Sequence, residues 1–453
     1  MQGHAIIPER KVWLCALSCG RSLWEPGLLH GAWVVVCAVI ADTMGGADCA
    51  QHDPQRAPKW LIGTSFAAAM SETSEQCGSS DPVAAESALA GASCVVFIPT
   101  LTSGGAERVA SVLANKWVGY ERVSVTVILL FSESLFYPVD SLVTLRCLGM
   151  KVKEDWVRRL GSLVTSLWRF RRIVREIDPK FVLTFMNKYN VYCLAALLGA
   201  GQKVVAAERD SPTEPGLWWR WVLRVLLYPS AAGLITQSEL SRTALRRWTR
   251  HRNIGVIPNP VEPIAAGHVS SRERIVLNVA RLVRKKGHED LLRAFAAIED
   301  SEWRLVLCGE GPLRGQLEEL AARLGIVDRV HFAGTVRDIG GWYARAGIFA
   351  FTSYFEGFPN ALAEAMVAGL PVVSYDCPTG PSDLIRDGRN GILVPLGDIQ
   401  SFSAALQRLM KEPALAARMG SEAMAVATRL DVDAVAKEYY QFCAAAATSG
   451  MAG

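Results

Sequence analysis

The chain is predicted to be an α/β protein built from two parallel-sheet domains. From residue 93 onward, apolar strand-like runs alternate with amphipathic helices, the pattern of parallel strands joined by helical crossovers. Several of those strands feed loops rich in glycine and charge. The chain has 453 residues, half of them hydrophobic, which exceeds what a single core organises.

The first domain is expected over residues 93–258 and opens on the strand Ser93-Cys-Val-Val-Phe-Ile-Pro99. Gly104-Gly-Ala-Glu107 follows, then a helix from Arg108 to Trp117. Further strands are expected near 123–130, 181–185, 203–207 and 233–238. Ile254-Gly-Val-Ile-Pro-Asn-Pro-Val-Glu-Pro263 reads as a proline-rich hinge region, with the linker proper at 259–270. A second domain over 271–430 and a final segment 431–453, whose helix starts near 432, complete the chain.

The candidate chemistry lies in the second domain. Arg274-Ile-Val-Leu-Asn-Val-Ala-Arg281 is a strand, followed by a loop with four cations in six positions, 281–286. Arg281 and Lys286 straddle that loop, so both can reach one diphosphate, Arg as a bidentate fork and Lys as a point charge. Alone, such a run is usually a solvated surface; here it sits where a strand feeds a helix, the ligand edge of an open α/β sheet. A second strand, Trp303–Cys308, ends in the turn Gly309-Glu-Gly-Pro312, where Gly309 and Gly311 would let a ligand approach backbone. A third, Ile348–Ser353, leads into Glu356-Gly-Phe-Pro-Asn-Ala-Leu-Ala-Glu364. Gly357 and Pro359 break the helix at the front, and Asn360 is expected to be the N-cap of the run behind it. Glu356 would then hang at the strand end and Glu364 would lie one turn into the helix, with free amides between them as an anion site. Such a unit suits a sugar nucleotide: one carboxylate for sugar hydroxyls, one for ribose hydroxyls, amides for the diphosphate. An ordinary helix with a solvated glutamate explains this segment alone equally well.

Arg281 with Lys286, Gly309-Glu-Gly-Pro312, and Glu356 with Glu364, in this order and spacing, resemble the retaining glycosyltransferases of family 4. Val330-His-Phe-Ala-Gly-Thr-Val336 and Asp387-Gly-Arg-Asn-Gly-Ile-Leu-Val394 also fit. The resemblance covers roughly residues 93 to 446. It implies the GT-B fold, two facing Rossmann-like domains with a cleft between them, the final helix returning to the first domain. It implies catalytic roles for Glu356, Arg281 and Lys286. Donor binding would fall to Gly104, Gly105, Gly309, Gly311, Thr335, Val336, Gly357, Phe358, Pro359, Asn360, Ala361 and Glu364. Attack from the front face, with retention at the anomeric carbon, is the implied mechanism. Thr100-Leu-Thr-Ser-Gly-Gly-Ala-Glu107 and Asp376-Cys-Pro-Thr-Gly-Pro381 look most like bacterial enzymes that elongate lipid-linked or surface polysaccharides. The expected partners are thus a nucleotide-sugar donor, UDP-linked in preference to GDP-linked, and a glycan or polyprenyl-diphosphate-linked acceptor. Asp383 stands where this family often has Glu, which weakens any carry-over of that contact. Asn187, Glu208 and Arg209, at ends of first-domain strands, are acceptor-side candidates.

The rest of the chain narrows the class. A formal charge of +4 is too small to imply nucleic acid, and no nucleic-acid-binding motif is present. None of the eleven cysteines forms a Cys-x-x-Cys pair, so neither zinc nor a disulfide scaffold is indicated and a reducing cytosol fits. Asp431-Val-Asp433 imitates a metal-binding Asp-x-Asp, but it starts the last helix, where Asp is a natural cap. No metal or other cofactor is expected; the nucleotide-sugar is a substrate. Gly309-Glu-Gly-Pro-Leu-Arg-Gly315 misses the Gly-x-Gly-x-x-Gly spacing by one residue, which argues against a nicotinamide oxidoreductase. Residues 1–92 read as a disordered extension; its apolar run Leu28–Ala41 has fourteen residues, short of the roughly 20 that span a bilayer. Two basic, tryptophan-bearing helices, 156–177 and 217–228, are expected to lie against an anionic membrane, placing the protein on the inner face of the plasma membrane. The alternative reading of both helices is core on one face and solvated arginine on the other.

Overall fold

The computed structural model describes residues 92–102, 104–120, 123–131, 135–150, 156–209, 218–263 and 272–448; side chains of 156–160 and 218–220 are outside that description. The expectations for residues 1–91, for most of the linker 264–270 and for residues 449–453 fall outside it as well.

Two sheets carry the molecule, and every strand pair in both is parallel. The first consists of β1 (Ser93–Ile98), β2 (Ser124–Leu129), β3 (Thr144–Cys147), β4 (Phe181–Phe185), β5 (Val204–Ala207), β6 (Gly233–Thr236) and β7 (Ile254–Val256). Their order is β3-β2-β1-β4-β5-β6-β7. Its helices are α1 (Gly105–Val118), α2 (Trp156–Ile177), α3 (Asn187–Leu197), α4 (Trp218–Leu227) and α5 (Glu239–Thr249). The second sheet has β8 (Ile275–Val279), β9 (Arg304–Cys308), β10 (Val330–Gly334), β11 (Ile348–Phe351), β12 (Val372–Tyr375) and β13 (Ile392–Val394), in the order β10-β9-β8-β11-β12-β13. The helices beside it are α6 (His288–Ala296), α7 (Arg314–Arg323), α8 (Ile339–Arg345), α9 (Asn360–Val367), α10 (Pro381–Leu384), α11 (Ile399–Lys411), α12 (Pro413–Ala423) and α13 (Val426–Arg429). The last helix, α14, spans Val432–Thr448.

The central strands are buried along nearly their whole length, as continuous Val/Ile/Leu/Phe runs between helical layers require. Each sheet has two apolar layers, one on each face. Phe97, Leu167, Phe170 and Tyr192 belong to one layer of the first sheet; Trp117, Phe181 and Val96 belong to the other. α14 completes that second layer with Val435, Ala436, Tyr439 and Cys443, so the end of the chain returns to the first sheet. Trp117 Nε1 donates to the Ala436 carbonyl at 2.9 Å, and Phe442 lies so close to Gly233 and Gly255 that a Cβ on Gly255 would sit 2.8 Å from its ring.

In the first sheet, two strands were not expected. β3 is a four-residue edge whose exposure alternates, and β7, read as hinge, is a three-residue edge on β6. Both are short and half-solvated and so lack the apolar run that marks a central strand.

In both sheets the chain begins in the middle, runs outward and then crosses back. Strand order therefore reverses between β1 and β4, and again between β8 and β11. Ligands of open parallel sheets bind beyond the carboxyl ends of the strands at such a reversal.

Candidate functional site

The two reversals bring the expected motifs to one cleft. Gly104 and Gly105 follow β1, and Met186 follows β4 with φ 69°, a left-handed conformation that costs a non-glycine residue of order 1–3 kcal/mol. Across the cleft, the 281–287 loop follows β8 and Glu356 follows β11. β8 and β11 are direct neighbours, which is why two loops 70 residues apart in sequence meet.

They meet as an ion pair. Lys286 Nζ donates to Glu356 Oε1 at 2.5 Å, and both side chains are largely buried. Lys286 is held there by its neighbours. Thr352 Oγ1 donates to its carbonyl at 3.0 Å, and Gly287 takes φ 65° with no room for a side chain, since a Cβ would lie 2.1 Å from the Thr352 carbonyl oxygen. Behind Glu356, Thr379 Oγ1 donates to its carbonyl oxygen. Gly380, at φ 104°, lets the Asp376–Pro381 turn slide under Pro359; a Cβ there would fall 2.4 Å from Pro359 Cδ. That motif was read only for its family resemblance. Its physical work is to brace the Glu356 loop.

Arg281 is exposed at the mouth of the same cleft. Its loop is zipped to the turn after β9: Ala280 N donates to the Cys308 carbonyl at 3.0 Å and Leu282 N to that of Glu310 at 3.0 Å. This accounts for Gly309 and Gly311 in a way the sequence reading did not. Cβ atoms there would lie 2.1 Å from the Ala280 carbonyl oxygen and 2.3 Å from that of Leu282. Both glycines admit the backbone of the 280–282 segment. Thr335 and Val336 lie just past β10, the former exposed and the latter half-buried. Gly357 and Ala361 are half-buried in the turn and first helical residues, whereas Phe358 packs into the core beside Leu362 and Leu384. Phe358 thus offers the cleft its backbone only.

Asn360 does not cap α9. It is the first helical residue, Pro359 precedes it without a side-chain cap, and its amide is engaged elsewhere. Asn259 Nδ2 donates to Asn360 Oδ1 at 2.7 Å, and Asn360 Nδ2 lies 2.4 Å from where a Gly105 Cβ would be. A contact between domains has displaced the local capping bond. α9 therefore has no side-chain cap; the amides of Asn360 and Ala363 donate to the Phe358 and Pro359 carbonyls, which leaves those of Ala361 and Leu362 to meet an anion.

Glu364, one turn into α9, is buried and doubly bonded. Arg108 Nη1 of α1 donates to Oε1 at 2.5 Å and the Tyr343 hydroxyl to Oε2 at 3.0 Å. Arg108 Nη2 also reaches Glu262 at 3.1 Å. Burial raises the Glu364 carboxyl above the ordinary carboxylate range, with Arg108 and Tyr343 pulling the other way. Burial pulls the Arg108 guanidinium down, and Glu364 and Glu262 more than offset it. Arg108 was missed in the sequence, where 256 residues separate it from Glu364 and nothing local announces the pair.

The acceptor-side candidates part company. Glu208 is buried, with the Tyr228 hydroxyl donating to Oε2 at 2.7 Å and Arg224 pairing at 3.3 Å. Its bonded oxygen is used to hold α4 to the sheet. Asn187 opens α3, half-buried, and Arg209 stands at the domain junction, where Nη1 donates to Asn259 Oδ1. Asp431 caps α14, its Oδ1 accepting from the Ala434 amide at 2.9 Å, and Asp433 pairs with Lys116 at 2.7 Å. Each aspartate of the imitation metal motif therefore has an ordinary structural role. Asp383 sits in α10 with its carbonyl accepting from Arg429 at 3.1 Å.

The two basic helices resolve into faces. Leu163, Leu167, Leu223 and Leu227 are core. Val164, Trp168, Trp221 and Leu226 are 50%, 61%, 44% and 66% exposed, so an apolar outer face remains. Among the described residues no helix is long and apolar enough to cross a membrane.

Comparison with known proteins agrees with the cleft. Residues 104–260 match the family model described as glycosyl transferase 4-like domain, and residues 263–426 match glycosyl transferases group 1. The chain is 26% identical over 324 residues to a Campylobacter jejuni α-1,4-N-acetyl-D-galactosaminyltransferase whose name gives a diphospho-undecaprenol-linked glycan; 70% of this chain and 88% of that protein are covered. It is also 26% identical to the amylovoran biosynthesis glycosyltransferase AmsD of Erwinia amylovora, over 68% of this chain and 87% of that one. Among solved structures, Anabaena HepE in complex with UDP and glucose superposes with a TM-score of 0.65 at 21% identity, covering 77% of this chain and 98% of that one. The facing parallel sheets, the motifs at their reversals and both family matches identify this chain as a glycosyltransferase of family 4, with the GT-B fold.

Proposed function

We propose that this enzyme transfers a hexosyl or N-acetylhexosaminyl residue from a UDP-sugar to a glycan carried on a polyprenyl diphosphate, with retention at the anomeric carbon, in surface polysaccharide synthesis. The observation that carries the reading is the convergence of Lys286, Glu356, Arg281 and the uncapped N-terminus of α9 at the β8/β11 reversal. Breaking a sugar–phosphate bond develops negative charge on the leaving diphosphate, and fixed cations and amides stabilise it without reorganising. Arg281, Lys286 and the α9 amides supply that charge, so no metal is required. Glu356 is placed by Lys286 to accept from sugar hydroxyls as the sugar gains oxocarbenium character. Glu364 accepts from ribose hydroxyls in place of, or beside, Arg108. The UDP preference draws on HepE, which was solved with UDP, and the acceptor class on the Campylobacter relative.

The exposed Val164 and Trp168 on α2 and Trp221 and Leu226 on α4, with arginines on both helices, support peripheral contact with an anionic leaflet on the cytoplasmic side. A lipid-carried acceptor requires such proximity. A thermal-shift panel of UDP- and GDP-sugars tests the donor reading: ligand at a hundredfold above Kd adds about 2.7 kcal/mol. A clear shift with UDP-sugars is expected; no shift with any nucleotide-sugar contradicts the reading.

A further inference from the structure

Among the described residues, the guanidinium of Arg209 has more donors than acceptors to meet them. It lies just past the carboxyl end of β5, with Cζ 4.8 Å from the Phe185 ring centre and 5.8 Å from that of Tyr439. Nη1 donates to Asn259 Oδ1, but Nε and Nη2 are shielded from solvent and have no hydrogen-bond partner among the described residues. Two aromatic rings and one amide fix the group in place, and one edge has no partner among the described residues. Buried donors are normally satisfied, and an arginine edge with two free N–H groups matches one oxyanion face.

Its surroundings lead to the same cleft. Asn259 donates onward to Asn360, the first residue of α9, so Arg209 is one residue removed from the helix N-terminus already assigned to an anion. Glu107, in the first turn of α1, lies within electrostatic reach of both Arg281 and Arg209. Its carboxylate is folded back over its own helix start, where a Cβ on Gly104 would lie 2.3 Å from Oε2. One carboxylate is therefore within electrostatic reach of a cation from each domain.

We propose that Arg209 is a ligand of a diphosphate in the interdomain cleft, the first domain's counterpart to Arg281 and Lys286, and that Glu107 is the internal anion this diphosphate displaces. The proposal rests on the nucleotide-sugar reading above. Two diphosphates enter that reaction, the donor's and the lipid-carried acceptor's, and the test separates them.

Calorimetric titration of UDP, GDP and the bare nucleosides into wild type, Arg209→Gln, Arg209→Lys and Glu107→Gln is the first arm. The KM for a soluble polyprenyl-diphosphate sugar, at fixed donor, is the second. If neither nucleotide binds wild type, the nucleotide-sugar reading itself fails, and the Arg209 proposal falls with it. Given binding, Arg209→Gln should weaken the nucleoside diphosphate by about ten- to a hundredfold, leave the nucleoside unchanged, and be partly rescued by Arg209→Lys. Glu107→Gln should tighten the same ligand by roughly threefold or more, since a competing charge is gone. An unchanged nucleotide Kd with an acceptor KM raised tenfold assigns Arg209 to the acceptor diphosphate. Both constants within twofold of wild type, or equal loss of nucleoside and nucleoside diphosphate, would overturn the proposal. Should Arg209→Gln fail to fold, Arg209→Lys and Glu107→Gln decide: no change in either constant for both variants overturns it equally.

Discussion

His288 sets a measurable acid limit on this fold. It opens α6, two residues after Lys286, is 2% exposed, and neither ring nitrogen has a hydrogen-bond partner among the described residues. Burial first, and the Lys286 charge second, push its pKa from 6.5 down to about 4. Above pH 6.5 the ring is neutral in folded and unfolded chains alike, and its titration costs nothing. Between 6.5 and 4 the unfolded chain binds the proton and the folded chain resists it, so stability falls as pH falls. Below 4 both are protonated and the loss is complete. A depression of this size corresponds to roughly 3 kcal/mol. His288→Leu, similar in volume, removes the titration and two unpartnered nitrogens, and should be neutral or stabilising at pH 7.5. Urea unfolding of both proteins at pH 7.5 and 4.5 reads the effect directly, as a gap between them that widens by roughly 2–3 kcal/mol at the lower pH. Parallel behaviour of the two proteins across that range would refute the assignment of a buried, neutral His288.

Three further outcomes follow from the cleft. Arg281→Ala and Lys286→Ala should each lower turnover by on the order of a hundredfold, and a folded double variant with near-normal activity would remove the proposed leaving-group site. Glu364→Gln should raise the donor KM with kcat nearly unchanged, because ribose hydroxyls are held equally before and during transfer, whereas Glu356→Gln should lower kcat. The opposite pattern in steady-state kinetics reverses the two roles. Activity should survive EDTA; complete loss restored by magnesium would reinstate a metal.

Local chemistry made the scaffold readable and left the cross-links unread. Val95, Val96 and Phe97, or Ile348 to Phe351, are buried strands because nothing else suits such runs between glycine-bearing loops. Lys286 and Glu356 were each visible as loop residues after strands, and only the sheet order β8-β11 makes them an ion pair. Asn360 carried a true capping signal, yet the side chain of Asn259 from the domain junction took its amide, a tertiary contact overriding a local preference. Arg108 looked like an ordinary helix residue, and its bond to Glu364 exists only once the domains face each other. The glycines at 309 and 311 were legible as tight turns, but which backbone they admit depends on the neighbouring 280–282 segment.

The central claim is sugar transfer from a nucleotide donor at this cleft. Its most direct measurement follows the purified full chain with a UDP-sugar and a polyprenyl-diphosphate glycan, reading UDP release and the anomeric proton coupling of the product by NMR. The account predicts stoichiometric UDP release and a product with the donor's own anomeric configuration, both abolished in the Arg281→Ala, Lys286→Ala double variant. An inverted product would contradict the retaining mechanism, and UDP release that persists unchanged in the double variant would contradict the site.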